Sequence, residues 1–197
     1  GIQASLVDID NVAASKMAAS YLIDSGHQHI VHFAGPEYSM HSEERVRGVR
    51  KAFSESPLAF NDDLIVPTGA HLEDGYKVGK SYFGSLSSDD RPSAVICYND
   101  LVAIGLMRAL RELSISVPED VYIIGCDDIE FAKYVSVPLT SIRIPKFEMG
   151  HRAAEILVQH IESDQKRDPD RDYLQAELVQ RASTRTHVPT NGAGNAA

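Results

Sequence analysis

A chain of 197 residues that is 43% hydrophobic and 24% charged is long enough for a buried core and is not a disordered segment. Nineteen Lys and Arg stand against 28 Asp and Glu, a formal net charge of −9, and the basic clusters around Arg45–Arg50–Lys51 and Lys166–Arg167 are short. That balance excludes a broad basic face of the kind that grips nucleic acid. No run of eighteen apolar residues and no secretion signal is present, so neither a membrane span nor export is expected.

In chain order, residues 1–6 have no evident role, which points to a chain that starts inside a larger design. Residues 7–10 read as a strand entering a helix over 12–24, with Asn11 as its cap and Gly26 as its breaker. Apolar runs predict strands at 29–34, 64–66, 94–97 and 121–125. Between them, apolar or small residues at spacings of three and four predict helices at 43–54, 73–86 and 101–113. Residues 127–138 have no clean period. An extended stretch at 140–144, a helix over 147–161, a charged turn at 163–172 and a last strand over 174–180 follow, and the tail from 184 is expected to be disordered. Alternating strands and helices imply a parallel sheet covered by helices, an α/β lobe. The piece before Val7 and the helix near Phe147 lack partners within it.

In such sheets, ligands bind outside the carboxyl ends of the strands. Polar groups fall there at Asp10–Asn11, at the loop from Gly35 to Arg45, at Gly69–Ala70–His71, at Asn99–Asp100 and at Asp127–Asp128. Arg45 can offer a guanidinium fork, Asn99 both donates and accepts, and ionised Asp127 accepts. Tyr38, Tyr98 or Phe131 could supply an apolar wall. Each has a plain structural alternative. Asp100 is a good helix cap, Asp127–Asp128 could form a solvated turn, and Arg45 could pair with Glu37, Glu43 or Glu44 on the surface.

Signs of bond chemistry are lacking. His27, His29, His32, His41 and His71 form no HExxH pattern, and His29 and His32 lie on opposite strand faces. No GxSxG, GxGxxG or P-loop occurs, so no enzyme, cofactor or metal is expected. Cys97 and Cys126, each near a strand end, are expected to be reduced, buried cytoplasmic thiols. Ile104, Phe131, Tyr134 and Val135 could form an apolar self-association face or could pack onto the sheet edge.

Six ordered motifs, GHQHIVHFAGP, EERVRGVRKAF, RPSAVICYND through VYIIGCDD, PLTSIRIP, MGHRAAEIL and ELVQRAST, resemble the effector-binding half of LacI/GalR transcriptional regulators, in register from residue 8 to 184. The resemblance implies one lobe of a two-lobed fold shared with periplasmic sugar-binding proteins, with ligand held between the lobes. The helix-turn-helix headpiece and most of the first lobe would be absent. Residues 1–9 would be a remnant of that lobe, 10–141 the second lobe, 142–172 a crossover and first-lobe helix, 173–184 a return to the second lobe, and 185–197 a tail. Arg45 falls on the family arginine that grips the effector, and Asn99 and Asp127 fall on its strand-end hydrogen-bonding pair. Ser39, His41 and Ala70 fall where effector choice is tuned. Ala70 stands where purine-responsive members carry an aromatic ring, and Ile144 where glutamine is common.

The resemblance therefore implies a cytoplasmic, dimeric regulator that senses a small polar effector, a sugar or related polyol, and reaches DNA through the absent headpiece. The alternatives are a periplasmic-type solute-binding protein and, further off, an α/β enzyme.

Overall fold

The computed structural model describes residues 4–163 and 169–184. Residues 185–197 of the expected tail, and residues 164–168 of the charged turn, lie outside them; Thr184, the expected start of the tail, is instead buried with its hydroxyl 2.8 Å from that of Thr140. Strands β1 (Leu6–Ile9), β2 (Ile30–Ala34), β3 (Ile65–Pro67), β4 (Ala94–Cys97), β5 (Tyr122–Asp127), β6 (Thr140–Arg143), β7 (Arg171–Leu174) and β8 (Glu177–Val179) form two sheets. The larger runs β3-β2-β4-β5-β6-β8. It is parallel throughout except at β8, which pairs antiparallel with β6. In the smaller sheet β1 pairs parallel with β7.

Every residue of β2 and β4 is buried, as a parallel sheet covered on both faces requires. Alternation sends Ile30, Ala94, Ile96, Ile124 and Ile142 to one face, where α1 (Asn11–Asp24) and α2 (Met40–Ser54) cover them. Val31, Phe33, Val95, Cys97 and Ile123 face α3 (Leu72–Gly84) and α4 (Asp100–Glu112) on the other. The close crossing of α3 and α4 needs glycine: a Cβ on Gly75 would lie 2.1 Å from the Val102 carbonyl, and one on Gly105 would lie 2.0 Å from that of Leu72. Cys97 and Cys126 belong to opposite core layers and are free thiols, so no bridge can join them.

Four expectations need correction. Asp10, not Asn11, caps α1, accepting from the Ala13 N–H at 2.8 Å, and Asn11 is buried in the first turn. α2 starts at Met40, three residues earlier than 43, because the Ser39 hydroxyl accepts from the Ser42 N–H. The single strand over 174–180 is two strands: Leu174 pairs with Ile9 on the small sheet, whereas Glu177–Val179 joins β6. The chain changes sheets at Gln175–Ala176, which no alternation can mark. Finally, β5 runs two residues beyond 125, which carries Asp127 to its very end.

α5 (Lys146–Glu162) packs on β1 and buries only Ile156, and it leaves Phe147, Leu157, Val158 and Ile161 exposed. Such an apolar face has no partner among the described residues.

His32, in the middle of β2, is fully enclosed. Its Nδ1 donates to the Ile96 carbonyl at 2.9 Å, and Nε2 has no partner among the described residues. Burial lowers its pKa to about 4. A lowered folded pKa means that the stability present above pH 6.5 is lost as pH falls toward 4. The His32→Gln variant should therefore lose about 3 kcal/mol less than the parent between pH 7 and pH 4. Urea unfolding of both chains at the two pH values measures the difference, and equal losses would show that His32 does not control it.

Candidate functional site

At the carboxyl end of the large sheet, side chains from β1, α1, α2, the two residues after β4, the end of β5 and the start of α5 surround an open cavity of about 370 Å³. The sheet explains its position. Parallel strands bury their middles, so polar side chains collect where β4 and β5 stop, and the helices that follow begin at the same rim.

Arg45 is its most confined charge, only 6% exposed despite its length. It leaves the first half of α2 and points inward, where Nε donates to Asn11 Oδ1 at 3.2 Å and Nη1 donates to the Tyr98 carbonyl. Its guanidinium carbon lies 4.7 Å from the centroid of the Tyr98 ring, a cation–π contact. Asn11 is in turn held by Glu44, to which its Nδ2 donates at 3.2 Å. The surface pairing with Glu37, Glu43 or Glu44 is thus replaced by a buried bracket that fixes the plane of the fork. These two bonds use two of its five N–H groups.

Asn99 and Asp100 exchange the roles that their order leads one to expect. Asn99 is the cap of α4: Oδ1 accepts from the Val102 N–H at 2.9 Å, while Nδ2 donates to the Ala70 carbonyl at 2.9 Å. Asp100 caps nothing and is wholly buried. Its Oδ1 accepts from the Ser141 hydroxyl at 2.6 Å and its Oδ2 from the Ile129 N–H at 2.8 Å. Burial is the main reason its pKa rises to about 7.

Asp127 and Asp128 diverge. Asp127 faces the cavity with φ of 111°, and burial raises its carboxyl pKa against the opposing pull of Arg45, Lys146 and His41. Asp128 turns away, gripped by Arg143 at 2.7 Å and Arg181 at 2.6 Å, so it is a structural tie and not a solvated turn. His41 lies on the rim with Nε2 3.0 Å from Asp8 Oδ2, joining α2 to β1. Lys146 donates to the Asp127 carbonyl from the other side.

Of the six expected ligand residues, Arg45, Asn99, Asp127 and His41 line the cavity. Ser39 and Ala70 stand one contact behind it: the Ser39 hydroxyl lies 3.2 Å from the Tyr98 hydroxyl, and Ala70 holds Asn99. Among the suggested apolar walls, Tyr98 lines the cavity, whereas Tyr38 is 92% exposed and Phe131 is 73% exposed, away from it. Asp8, Lys146 and Met149 also line it and were not anticipated. Lys146 follows Pro145 in the crossing segment, and only the tertiary return of α5 brings it to the rim. Among the described residues no group of His, Cys, Asp and Glu could hold a metal ion, and no helix is long and apolar enough to cross a membrane.

A doubly wound lobe with polar donors and acceptors at one end of its sheet is the architecture of periplasmic-binding-protein-like domains. Residues 19–184 match the family profile of the periplasmic binding protein-like domain, and the chain belongs to that family, in the form carried by LacI-family transcriptional regulators. It is 38% identical over 165 residues to the HTH-type transcriptional repressor PurR of Vibrio parahaemolyticus, covering 84% of this chain and 48% of that protein. The structure resembles the transcriptional regulator CelR in complex with cellobiose (TM-score 0.84, 31% identity, 92% of this chain and 54% of that one). It also resembles a LacI-family regulator from Enterococcus faecium with bound ribose (TM-score 0.81, 28% identity, 91% and 65%). The chain spans about half the length of the curated relatives it matches.

The reassigned cap is open to test. Asn99→Ala should destabilise the chain by about 1 kcal/mol, whereas Asn99→Asp, which retains an acceptor for Val102, should cost less. Chemical denaturation gives both values, and equal losses would place the effect elsewhere than in the cap.

Proposed function

We propose that this chain is the effector-sensing part of a cytoplasmic, dimeric, DNA-binding transcriptional regulator. It holds a small polyhydroxylated metabolite, a sugar or close relative, without making or breaking bonds. The carrying observation is the convergence of Arg45, Asn99 and Asp127 on one cavity at the strand ends. A fork braced by Asn11 and Tyr98 suits vicinal hydroxyls, and Asp127 supplies an acceptor opposite it. The sugars named with the two structural neighbours favour the same class. Ala70 offers no ring on which a purine base could stack. No cofactor or metal is invoked, and an exported solute-binding protein is the less favoured reading because the named relatives are transcriptional repressors.

In this reading β1, β7 and α5 are the edge of a first lobe whose remainder covers the exposed face of α5. The second lobe runs from 10 to 141 and the crossover and first-lobe helix from 142; the pairing of Tyr173 and Leu174 with β1 favours a return at Gln175–Ala176 in place of the expected 173. Effector bridging both lobes then biases their relative arrangement, and it can do so only as far as its contacts differ between the two states. Ile104, Phe131, Tyr134 and Val135 form the self-association face. Phe131 and Tyr134 project from the turn after β5, and Ile104 and Val135 border a shallow groove along α4. Two-fold pairing there would place two headpieces on the halves of a pseudo-palindromic operator.

Calorimetric titration of the full-length regulator with a saccharide panel that includes cellobiose and ribose should find at least one ligand. Arg45→Ala should weaken that ligand at least tenfold, with Arg45→Lys recovering only part of the loss. Unchanged affinity in both variants would remove Arg45 from the site. In sedimentation velocity, the double variant Ile104→Asp/Tyr134→Asp should convert dimer to monomer, and an unaltered dimer would move the interface to another face.

A further inference from the structure

The turn that ends β5 is held in an unfavourable shape. Asp127 and Asp128 have φ of 111° and 46°, where residues other than glycine are rarely found. What holds them is a buried pair on neighbouring strands and helices. Asp100 accepts the Ile129 N–H at 2.8 Å, and Ser141 accepts the Asp128 N–H at 3.1 Å while its own hydroxyl donates to Asp100 at 2.6 Å. The carboxylate sits in a space made for it. A Cβ on Gly125 would lie 2.2 Å from Asp100 Oδ1 and 3.0 Å from Leu139, so β5 must have glycine there.

Neither the cap of α4 nor the wall of the cavity uses Asp100, because Asn99 does the first and Asp127 the second. We propose that Asp100 is a positioning residue: with Ser141 it sets the turn that presents Asp127 to the cavity, and its protonation loosens that turn.

The charges around it support this. Asp127 and Asp128 face it from the end of β5, and the Cys97 thiol approaches from β4. The nearby cations are committed elsewhere, Arg45 and Lys146 toward Asp127 and Arg143 and Arg181 toward Asp128. Among the described residues no ion pair to Asp100 is formed. Burial without a counter-charge brings its titration to about pH 7. When ionised it accepts two charge-assisted bonds. When protonated, its O–H must point at a former donor: either it opposes the Ile129 N–H, or it donates to Ser141 Oγ and leaves Ile129 with a neutral acceptor. The bonds from Ser141 and Ile129 pull the pKa down against burial, so with the carboxyl still buried the closed turn favours the ionised form and is tightest above neutrality. If the cavity is the effector site proposed above, effector affinity rises with pH through the same range, and only this consequence rests on that reading.

The test needs no effector. In ¹H–¹⁵N spectra of the 197-residue chain between pH 5 and 9, the Ile129 amide proton should move upfield as pH falls, with a midpoint near 7. Asp100→Asn should abolish this transition and speed hydrogen exchange at Ile129 at least tenfold, while His32→Gln should leave both unchanged. Ser141→Ala, which removes a bond to the ionised form, should raise the midpoint. An Ile129 amide that does not titrate, or one that still does so in Asp100→Asn, overturns the proposal. If Asp100→Asn does not fold, Ser141→Ala decides, and an unmoved midpoint overturns it. Failure here would leave the effector reading standing. Conversely, failure of the saccharide panel would leave this assignment standing.

Discussion

The structure depends on a sheet whose middle tolerates almost nothing polar. Covered by α1 and α2 on one face and by α3 and α4 on the other, the interior strands have no solvated side on which to place a hydrogen-bonding group. The exceptions among the described residues are His32, enclosed as a neutral ring, and Thr140 and Ser141 of β6, whose hydroxyls are hydrogen-bonded. Polar side chains from β4 and β5 are consequently expelled to the carboxyl ends, and the helix starts that follow bring their own caps to the same rim. A polar cavity there is a consequence of packing before any function is assigned to it.

Preorganisation then separates a useful cavity from a polar one. Arg45 would lose rotamer freedom on gripping a ligand if its chain were loose. Here the loss is already incurred in folding, because Asn11, Glu44, the Tyr98 carbonyl and the Tyr98 ring fix the fork beforehand. Asp127 is prepared differently. Its backbone is held in a left-handed conformation by bonds to the two residues after it, so its direction is set by Asp100 and Ser141, buried beneath the turn. The cavity also touches β1 and the start of α5 through Asp8 and Lys146. Small displacements of those elements therefore alter the surroundings of Asp127 directly, which is the kind of differential contact that a ligand-driven switch requires.

Much of this was legible beforehand, for physical reasons. Runs such as AVIC and YIIG announce buried parallel strands, and ordered strand ends announce where a ligand would sit. The shared placement of Arg45, Asn99 and Asp127 at one cavity followed from the strand ends and motifs they stand in. Other features could not be read. Asn and Asp both cap helices well, so only the backbone angles at residue 99 decide which of the pair does so. Asp128 looked like half of a solvated turn because its partner Arg181 lies 53 residues away. The division of 174–180 between two sheets depends on which strand is in reach, and alternation carries no record of that.

The central claim is that one small polar ligand sits against Arg45, Asn99 and Asp127. Amide chemical-shift mapping of the full-length regulator, titrated with whichever saccharide it binds, tests it most directly. The largest perturbations should cluster at Asn11, Arg45, Tyr98, Asn99 and Asp127, with weaker changes along α4. Saturable perturbations confined to another surface, leaving these residues still, would contradict the account.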